Sequence, residues 1–226
     1  MRDIDPAVLW PKIVTALLQT LQMVTVSFVL ATVLGLVLGL VLYSTRRGNL
    51  LQNAVVFTSL NAVINVIRPI PFIILIVAIS PLTRVVIGTS IGTEAAIFAL
   101  TIVATFSIAR IAETNLVAVD RGSVEAGAAM GASPVRVLAT IVVPEALGPL
   151  VLGLTYIFVA LVDATAVAGL VGGGGLGNLA ITYGYQRFDT FVMVTVIVLI
   201  IVLVQVAQLL GNLVARKVLH EEPAGR

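Results

Sequence analysis

The stretch LQTLQMVTVSFVLATVLGLVLGLVLY, residues 18–43, contains no charged side chain. A helix needs roughly 20 mostly apolar residues to cross a bilayer, so this run spans one. Runs at about 91–112, 149–171 and 190–213 meet the same requirement. A further run, about 54–79, is interrupted by RPIP at 68–71. Pro69 and Pro71 each remove a backbone donor, so that helix is expected to kink or break there. The favoured count is five spans, with four spans plus a re-entrant segment as the alternative. Composition agrees: 59% of the residues are hydrophobic and 11% charged, with a mean hydropathy of +1.14. Soluble domains carry about a quarter charged residues, so the chain is read as an all-α integral membrane protein.

Residues 1–226 are read as a single membrane domain, since no internal repeat or low-complexity linker interrupts them. Cysteine is absent, which excludes disulfides, thiolate metal sites and cysteine nucleophiles. His220 stands without partners at metal-ligand spacing, so no metal site is expected. The net charge of +2 argues against a nucleic-acid partner. The start, MRDIDPAVLWPK, mixes acids with bases and is read as retained rather than cleaved.

Lysines and arginines orient the spans. With the N-terminus outside, the inner side receives Arg46, Arg47, Arg110, Arg121, Arg136, Arg216, Lys217 and Arg226. The outer side receives Arg2, Lys12, Arg84 and Arg187, while Arg68 falls within a span. This bias predicts an external N-terminus, a cytoplasmic C-terminus and a cytoplasmic segment at 113–148. Trp10 and Tyr43 suit interfacial anchoring.

The cytoplasmic segment holds EAGAAMGASPVRVLATIVVPEA, residues 125–146. Glu125, Ala126 and Ala128 start a short helix that Gly131 ends. Ser133 is placed to cap a second helix with Pro134 at its first position, and Pro144 is expected to end that helix before the fourth span. Small residues, Gly127 and Ala132 among them, let another surface approach closely. This pattern resembles the permease subunits of bacterial ABC importers, whose signature is Glu-Ala-Ala, three residues, Gly, nine residues, Ile-x-Leu-Pro. Here it reads Glu125-Ala126-Gly127, Gly131, then Ile141-Val142-Val143-Pro144, with Gly127 and Val143 as departures. The segments NVIRPIPFIILIVAISPLTRVVIGTSIG (65–92) and VGGGGLGNLAITYGYQRFD (171–189) resemble the methionine importer permeases in particular.

That resemblance implies the type I permease fold, with five spans and a coupling helix that docks on a separate ATPase subunit. It implies coupling roles for Glu125, Ala126, Gly127, Gly131, Ala132, Ser133 and Pro134. It further implies a non-catalytic subunit for methionine, D and L, or a close relative, paired with a second copy of itself. ATP and Mg belong to the ATPase partner, and an extracytoplasmic binding protein delivers substrate. Membrane lipid surrounds the spans, in the bacterial cytoplasmic membrane. No Gly-x-x-x-x-Gly-Lys-Ser/Thr sequence is present, which agrees with ATP being handled elsewhere.

On the fourth span Ala160, Asp163, Ala164, Val167, Ala168 and Val171 share a face at helical spacing. It suits a narrow path, and the resemblance places Val167 near its closure. Asp163 stands where the family tends to carry a small neutral residue; it is read either as a substrate contact or as an inter-helix hydrogen bond, with Arg68 as the expected basic partner. Asn61, Asn65 and Arg68 form a polar stripe at i, i+4 and i+7 that either lines the path or, as the favoured reading, ties helices together. Gly35 and Gly39 are read as packing positions, and Glu94 as favourable at a helix N-terminus. GGGGLG at 172–177 fits the dinucleotide pattern but follows a membrane helix, so it is read as a flexible outer loop. No Ser-His-Asp or paired-carboxylate arrangement exists for catalysis. The competing classes are an importer subunit for another small substrate and an ion-coupled carrier, for which Asp163 is the only clear intramembrane acid.

Overall fold

The computed structural model describes residues 6–49 and 51–219; Arg2, His220 and Arg226 lie outside them. All the described regular structure is helical. α1 (Pro6–Thr45), α5 (Thr93–Val117), α8 (Val143–Leu170) and α10 (Thr190–Leu219) are the long elements. Between them lie α2 (Ala54–Ile67), α3 (Phe72–Ala78), α4 (Ser80–Ile87), α6 (Arg121–Ala129), α7 (Pro134–Val137) and α9 (Gly175–Leu179). Two π-helical stretches, Leu138–Val142 and Ala180–Tyr185, continue α7 and α9.

Four helices are long and apolar enough to span a membrane, and five spans result if α2 and α3 count as one. That pair is bent by 106°, so RPIP breaks the second span rather than merely kinking it. The cause is local. Pro69 and Pro71 have no N–H to extend the ladder, and Pro71 instead leads into α3 with its carbonyl accepting from Ile74 and Leu75. The fourth span starts earlier than expected. Pro144 does not end α7, because the π-helical turn before it has already shifted the ladder, Val143 N–H reaching the Leu138 carbonyl. A proline just beyond such a re-registered turn loses little, and helix continues to Leu170.

The chain forms two compact units that interleave along the sequence. One comprises Met1–Ala31, Ile70–Ala104 and Ile157–Gln208; the other comprises Thr32–Pro69, Thr105–Tyr156 and Leu209–Arg226. In the first unit Leu9, Ile13, Leu176, Leu179, Val192 and Val196 form a buried cluster. In the second unit Gly35 and Gly39 set α1 directly on α5. A Cβ at Gly35 would lie 2.7 Å from Ile108 Cβ, and one at Gly39 would lie 2.5 Å from Ala112 Cβ. These are packing glycines, as the spacing suggests. Tyr43 is 5% exposed and belongs to a cluster with Leu116, Val137, Leu138 and Val142, so it is a core residue rather than an interfacial anchor. Its ring sits at the end of α1, where the folded-back segment after α5 covers it. Trp10, by contrast, is exposed, as an anchor would be.

Candidate functional site

The helix pair after α5 is built from two caps and one turn. α6 begins at Arg121, four residues before the expected start at Glu125, because Asp120 caps it. Asp120 Oδ2 accepts from Ser123 N–H at 2.9 Å and from Ser123 Oγ at 3.3 Å. Those hydrogen bonds stabilise the carboxylate and hold the Asp120 pKa below its ordinary value. α6 ends in a Schellman turn: Gly131 N–H bonds the Ala128 carbonyl and Ala132 N–H bonds that of Gly127. Gly131 has φ +81° and open space around its Cα, so glycine is needed there for the backbone and not for a close approach. Ser133 Oγ accepts from Arg136 N–H and Pro134 opens α7, as the sequence predicts.

Gly127 works differently. It is buried, and a Cβ there would lie 2.6 Å from Ile141 Cδ1 of the same chain. The smallness of this position therefore serves the packing of α6 on its own support. Glu125, Ala126 and Ala128 remain exposed. So do Met130, at 82%, and Val135, at 68%, which flank the turn and form an apolar tip. Beneath the pair, Val137, Leu138, Val142, Ala146 and Leu150 pack with Tyr43, Ala112 and Leu116. The tip is thus mounted on a cluster reaching the ends of α1, α5 and α8.

In the same unit Arg110 organises the polar residues. Its Nη2 donates to Asn61 Oδ1 and to Asn65 Oδ1, each at 2.7 Å, and its Nη1 pairs with Glu113. Arg46 also approaches Glu113, at 3.6 Å. Asn61 and Asn65 thereby tie α2 to α5, the helix-joining reading of the polar stripe. Arg68 stands apart: its N–H bonds the Ile64 carbonyl at the break after α2, and its side chain is exposed. Glu113 is 3% exposed inside α5, so Asp163 is not the only acid within the spanning helices. Among the described residues Asp163 forms no ion pair.

The face of α8 in the other unit divides. Ala160 and Asp163 are exposed, Ala164 and Val167 are half-buried, and Ala168 is fully buried. The Ala168 carbonyl also closes the end of the helix, accepting from Gly173 N–H at 2.9 Å. Val171 lies in the turn beyond α8, half-buried, with its N–H on the Ala168 carbonyl. Ala160, Asp163, Ala164 and Val167 are therefore the helical members of the predicted face that share an accessible side.

GGGGLG is an ordered wedge and not a flexible loop. Gly175 N–H donates to Gln19 Oε1 at 2.9 Å and Leu176 N–H to Thr20 Oγ1 at 2.8 Å. Gly92 N–H reaches the Gly172 carbonyl at 3.0 Å, and Thr93 Oγ1 that of Gly173 at 3.3 Å. Two amides that a phosphate cradle would use are thus engaged by side chains of α1. α9 then lies directly on α8: a Cβ at Gly177 would fall 2.3 Å from Ala166 Cα, and one at Gly169 2.5 Å from Asn178 N. Nearby, Lys12 Nζ donates to the Tyr183 hydroxyl at 2.7 Å, which favours the phenolate and pulls the Tyr183 pKa down.

Residues 31–220 match the family described as the binding-protein-dependent transport system inner membrane component. The chain belongs to that family. As a permease it has close relatives. The chain is 43% identical to the "Probable D-methionine transport system permease protein MetI" of Vibrio cholerae, covering 92% of each. It is 38% identical to the protein of the same description from Pasteurella multocida, over 94% of this chain and 98% of that one. A solved structure, "Inward facing conformations of the MetNI methionine ABC transporter", superposes with a TM-score of 0.91 at 41% identity, covering 95% of this chain and 99% of that one. The fold is that of an ABC importer permease, and the permease is a non-catalytic membrane subunit of such an importer. An ion-coupled carrier is thereby set aside.

Sequence reasoning missed several residues of the permease that matter structurally. The Asp120 cap was visible as Asp followed by Ser three positions later. Met130 and Val135 carried a signal as the large apolar residues beside the Gly-Ala-Ser turn. The Gln19 and Thr20 brace carried none, since its two ends are 156 residues apart.

Proposed function

We propose that this permease carries methionine, in D and L forms, or a closely related amino acid, into the cytoplasm. The observation that carries this reading is 43% identity across 92% of the chain to a relative described as a D-methionine permease. Two copies pair to enclose a path, and two ATPase subunits bind the α6–α7 pair through the exposed Glu125, Ala126 and Ala128, with Gly127, Gly131, Ala132, Ser133 and Pro134 shaping it. ATP and Mg are held by those subunits, whose hydrolysis supplies the energy. An extracytoplasmic binding protein delivers the substrate. The N-terminus faces outward and the C-terminus the cytoplasm.

The chain's own part is mechanical. Movement of the α6–α7 tip passes through the buried Val137, Leu138 and Val142 to Tyr43, Ala112 and Leu116, so the ends of the spanning helices move with it. Along the path, Val167 forms the narrowing, Ala164 and Val171 flank it, and Asp163 offers a carboxylate to the ammonium group of an amino acid. Asn61, Asn65 and Arg110 brace the helices, and Arg68 marks the break in the second span.

The test is reconstitution with the ATPase and binding protein, measuring ATP hydrolysis as amino acids are added singly. D- or L-methionine should stimulate most; equal stimulation by amino acids without a thioether would refute the substrate. Asp163→Asn should lower uptake while basal hydrolysis persists. Because the native chain lacks cysteine, Ser123→Cys should label only with reagents that enter the cell, and Asn178→Cys from outside. The reverse pattern would invert the orientation.

A further inference from the structure

Where α1 and α5 end, the chain forms a small, open-sided cleft of about 110 Å³. Its charged lining is Arg46 and Arg47 from the turn after α1, with Arg121 and Glu125 from α6. Three guanidinium groups thus face one carboxylate. Arg46 is partly engaged with Glu113, but Arg47 and Arg121 form no ion pair among the described residues, nor does Glu125. Asp120, next to Arg121, has its carboxylate committed to capping Ser123.

The turn that carries the arginines is fixed. Asn49 Nδ2 donates to the Tyr43 carbonyl, Asn49 N–H bonds the Arg46 carbonyl at 3.0 Å, and Gly48 N–H bonds Gln52 Oε1 at 3.0 Å. Arg121 occupies the first position of α6, the positive end of the helix dipole. A cation is disfavoured there by its own helix, whereas an anion in the cleft would gain from both. The rest of the lining is Tyr43, Val117, Val119 and Val124 on the apolar side, with Gly48 and Asn49 from the turn. Guanidinium groups match phosphoryl oxygens in bidentate geometry. A phosphoryl group with a greasy attachment fits this combination better than a free anion does. The location fits too, because α1 stops at Thr45 and α5 at Val117, the level at which apolar spans meet headgroups.

We propose that this cleft binds the phosphoryl headgroup of an anionic phospholipid, held by Arg47 and Arg121 with Arg46 in support. The proposal depends on the orientation above only for the leaflet, which would be the cytoplasmic one. Bound there, the lipid would join the turn after α1 to the first turn of α6, and so would bias the docking helix from the membrane side.

The test uses the full-length chain in a neutral detergent, titrated with phosphatidylglycerol, phosphatidylcholine or inorganic phosphate and read by native mass spectrometry. One phosphatidylglycerol should bind more tightly than any phosphatidylcholine. Arg47→Gln and Arg121→Gln should each weaken it about fivefold, and together roughly 25-fold. Val124→Trp, which fills the cleft without touching charge, should weaken it as well, with thermal unfolding checking that each variant is folded. Failure of inorganic phosphate to displace the lipid supports a lipid site; displacement at equal concentration supports the phosphoryl site but assigns it to a free anion. Equal binding of both lipids, undiminished binding in the folded double variant, or loss of the lipid whenever the ATPase subunit is added would overturn the proposal. No transport is measured, so a failure here is separate from a failure of the methionine reading.

Discussion

The α6–α7 pair and the GGGGLG wedge are both glycine-rich turns between helices, yet they are held by different means. The pair is held by side chains: the Asp120 and Ser133 caps and a cluster of Val, Leu and Tyr. The wedge takes side-chain hydrogen bonds from Gln19 and Thr20, but its close packing is backbone against backbone, with Gly177 over the Ala166 Cα. Side-chain mounts yield by small rotamer shifts, whereas a backbone mount has nothing to move. A part that must transmit motion suits the first construction and a part that must stay fixed suits the second. The permease thus has one compliant turn and one rigid one.

Glycine substitutions should break or sharpen that contrast. Gly177→Ala sets a methyl 2.3 Å from a Cα and should cost about 3 kcal/mol or more, at the upper end of overpacking. Loss of the folded fraction in a detergent unfolding titration would show it. If Gly177→Ala unfolds at the wild-type midpoint, the wedge is not rigid.

Next in size is Glu113→Ala, which removes the buried partner of Arg110 and should cost about 3 kcal/mol, the low end for a broken buried pair because Arg110 is only partly buried. Its distinguishing sign is that Arg110→Met, Glu113→Gln in combination should recover part of the loss. No recovery would mean that the network contributes shape and not charge.

Gly127→Ala tests the compliant side. The new methyl is crowded only by Ile141 Cδ1, the end of a flexible side chain, with Val137 Cγ2 at an ordinary 3.5 Å, so the cost should stay below about 1 kcal/mol. A cost equal to that of Gly177→Ala would erase the distinction between the two turns.

The smallest effect is pH-dependent. The Asp120 carboxyl is held below its ordinary value of 3.8 in the folded chain. The cap is therefore fully present above that value and is lost as pH falls through the lower, folded one. Amide exchange over residues 121–124 should quicken in that acid range for the native chain but not for Asp120→Asn, whose amide caps without titrating. Identical acid responses would remove the cap from the account.

Much of this was legible in the sequence because its causes are local. Span positions follow from apolar runs, the break at 68–71 from two prolines, and the α7 cap from Ser-Pro. The α6 start was misplaced because helix-forming Ala near Glu125 outweighed a cap four residues earlier. Pro144 was misjudged because a π-helical turn leaves no compositional mark. On α8, Asp163 and Ala168 are five residues apart, about 140° around the helix, so they are opposite edges of the expected face and one is exposed while the other is buried. Arg110 illustrates the same limit: its partners Asn61 and Asn65 are 49 and 45 residues away.

The broken second span bears on how the chain is made. At 1.5 Å per residue, α2 with 14 residues and α3 with 7 reach about 21 and 10 Å, each short of the roughly 30 Å core of a bilayer. Neither piece crosses by itself as it leaves the ribosome. Asn61 and Asn65 reach their partner only when Arg110 has been synthesised. Maturation of this span therefore waits for α5, and ribosomes stalled just before residue 110 should carry a nascent chain whose second span is still accessible to water.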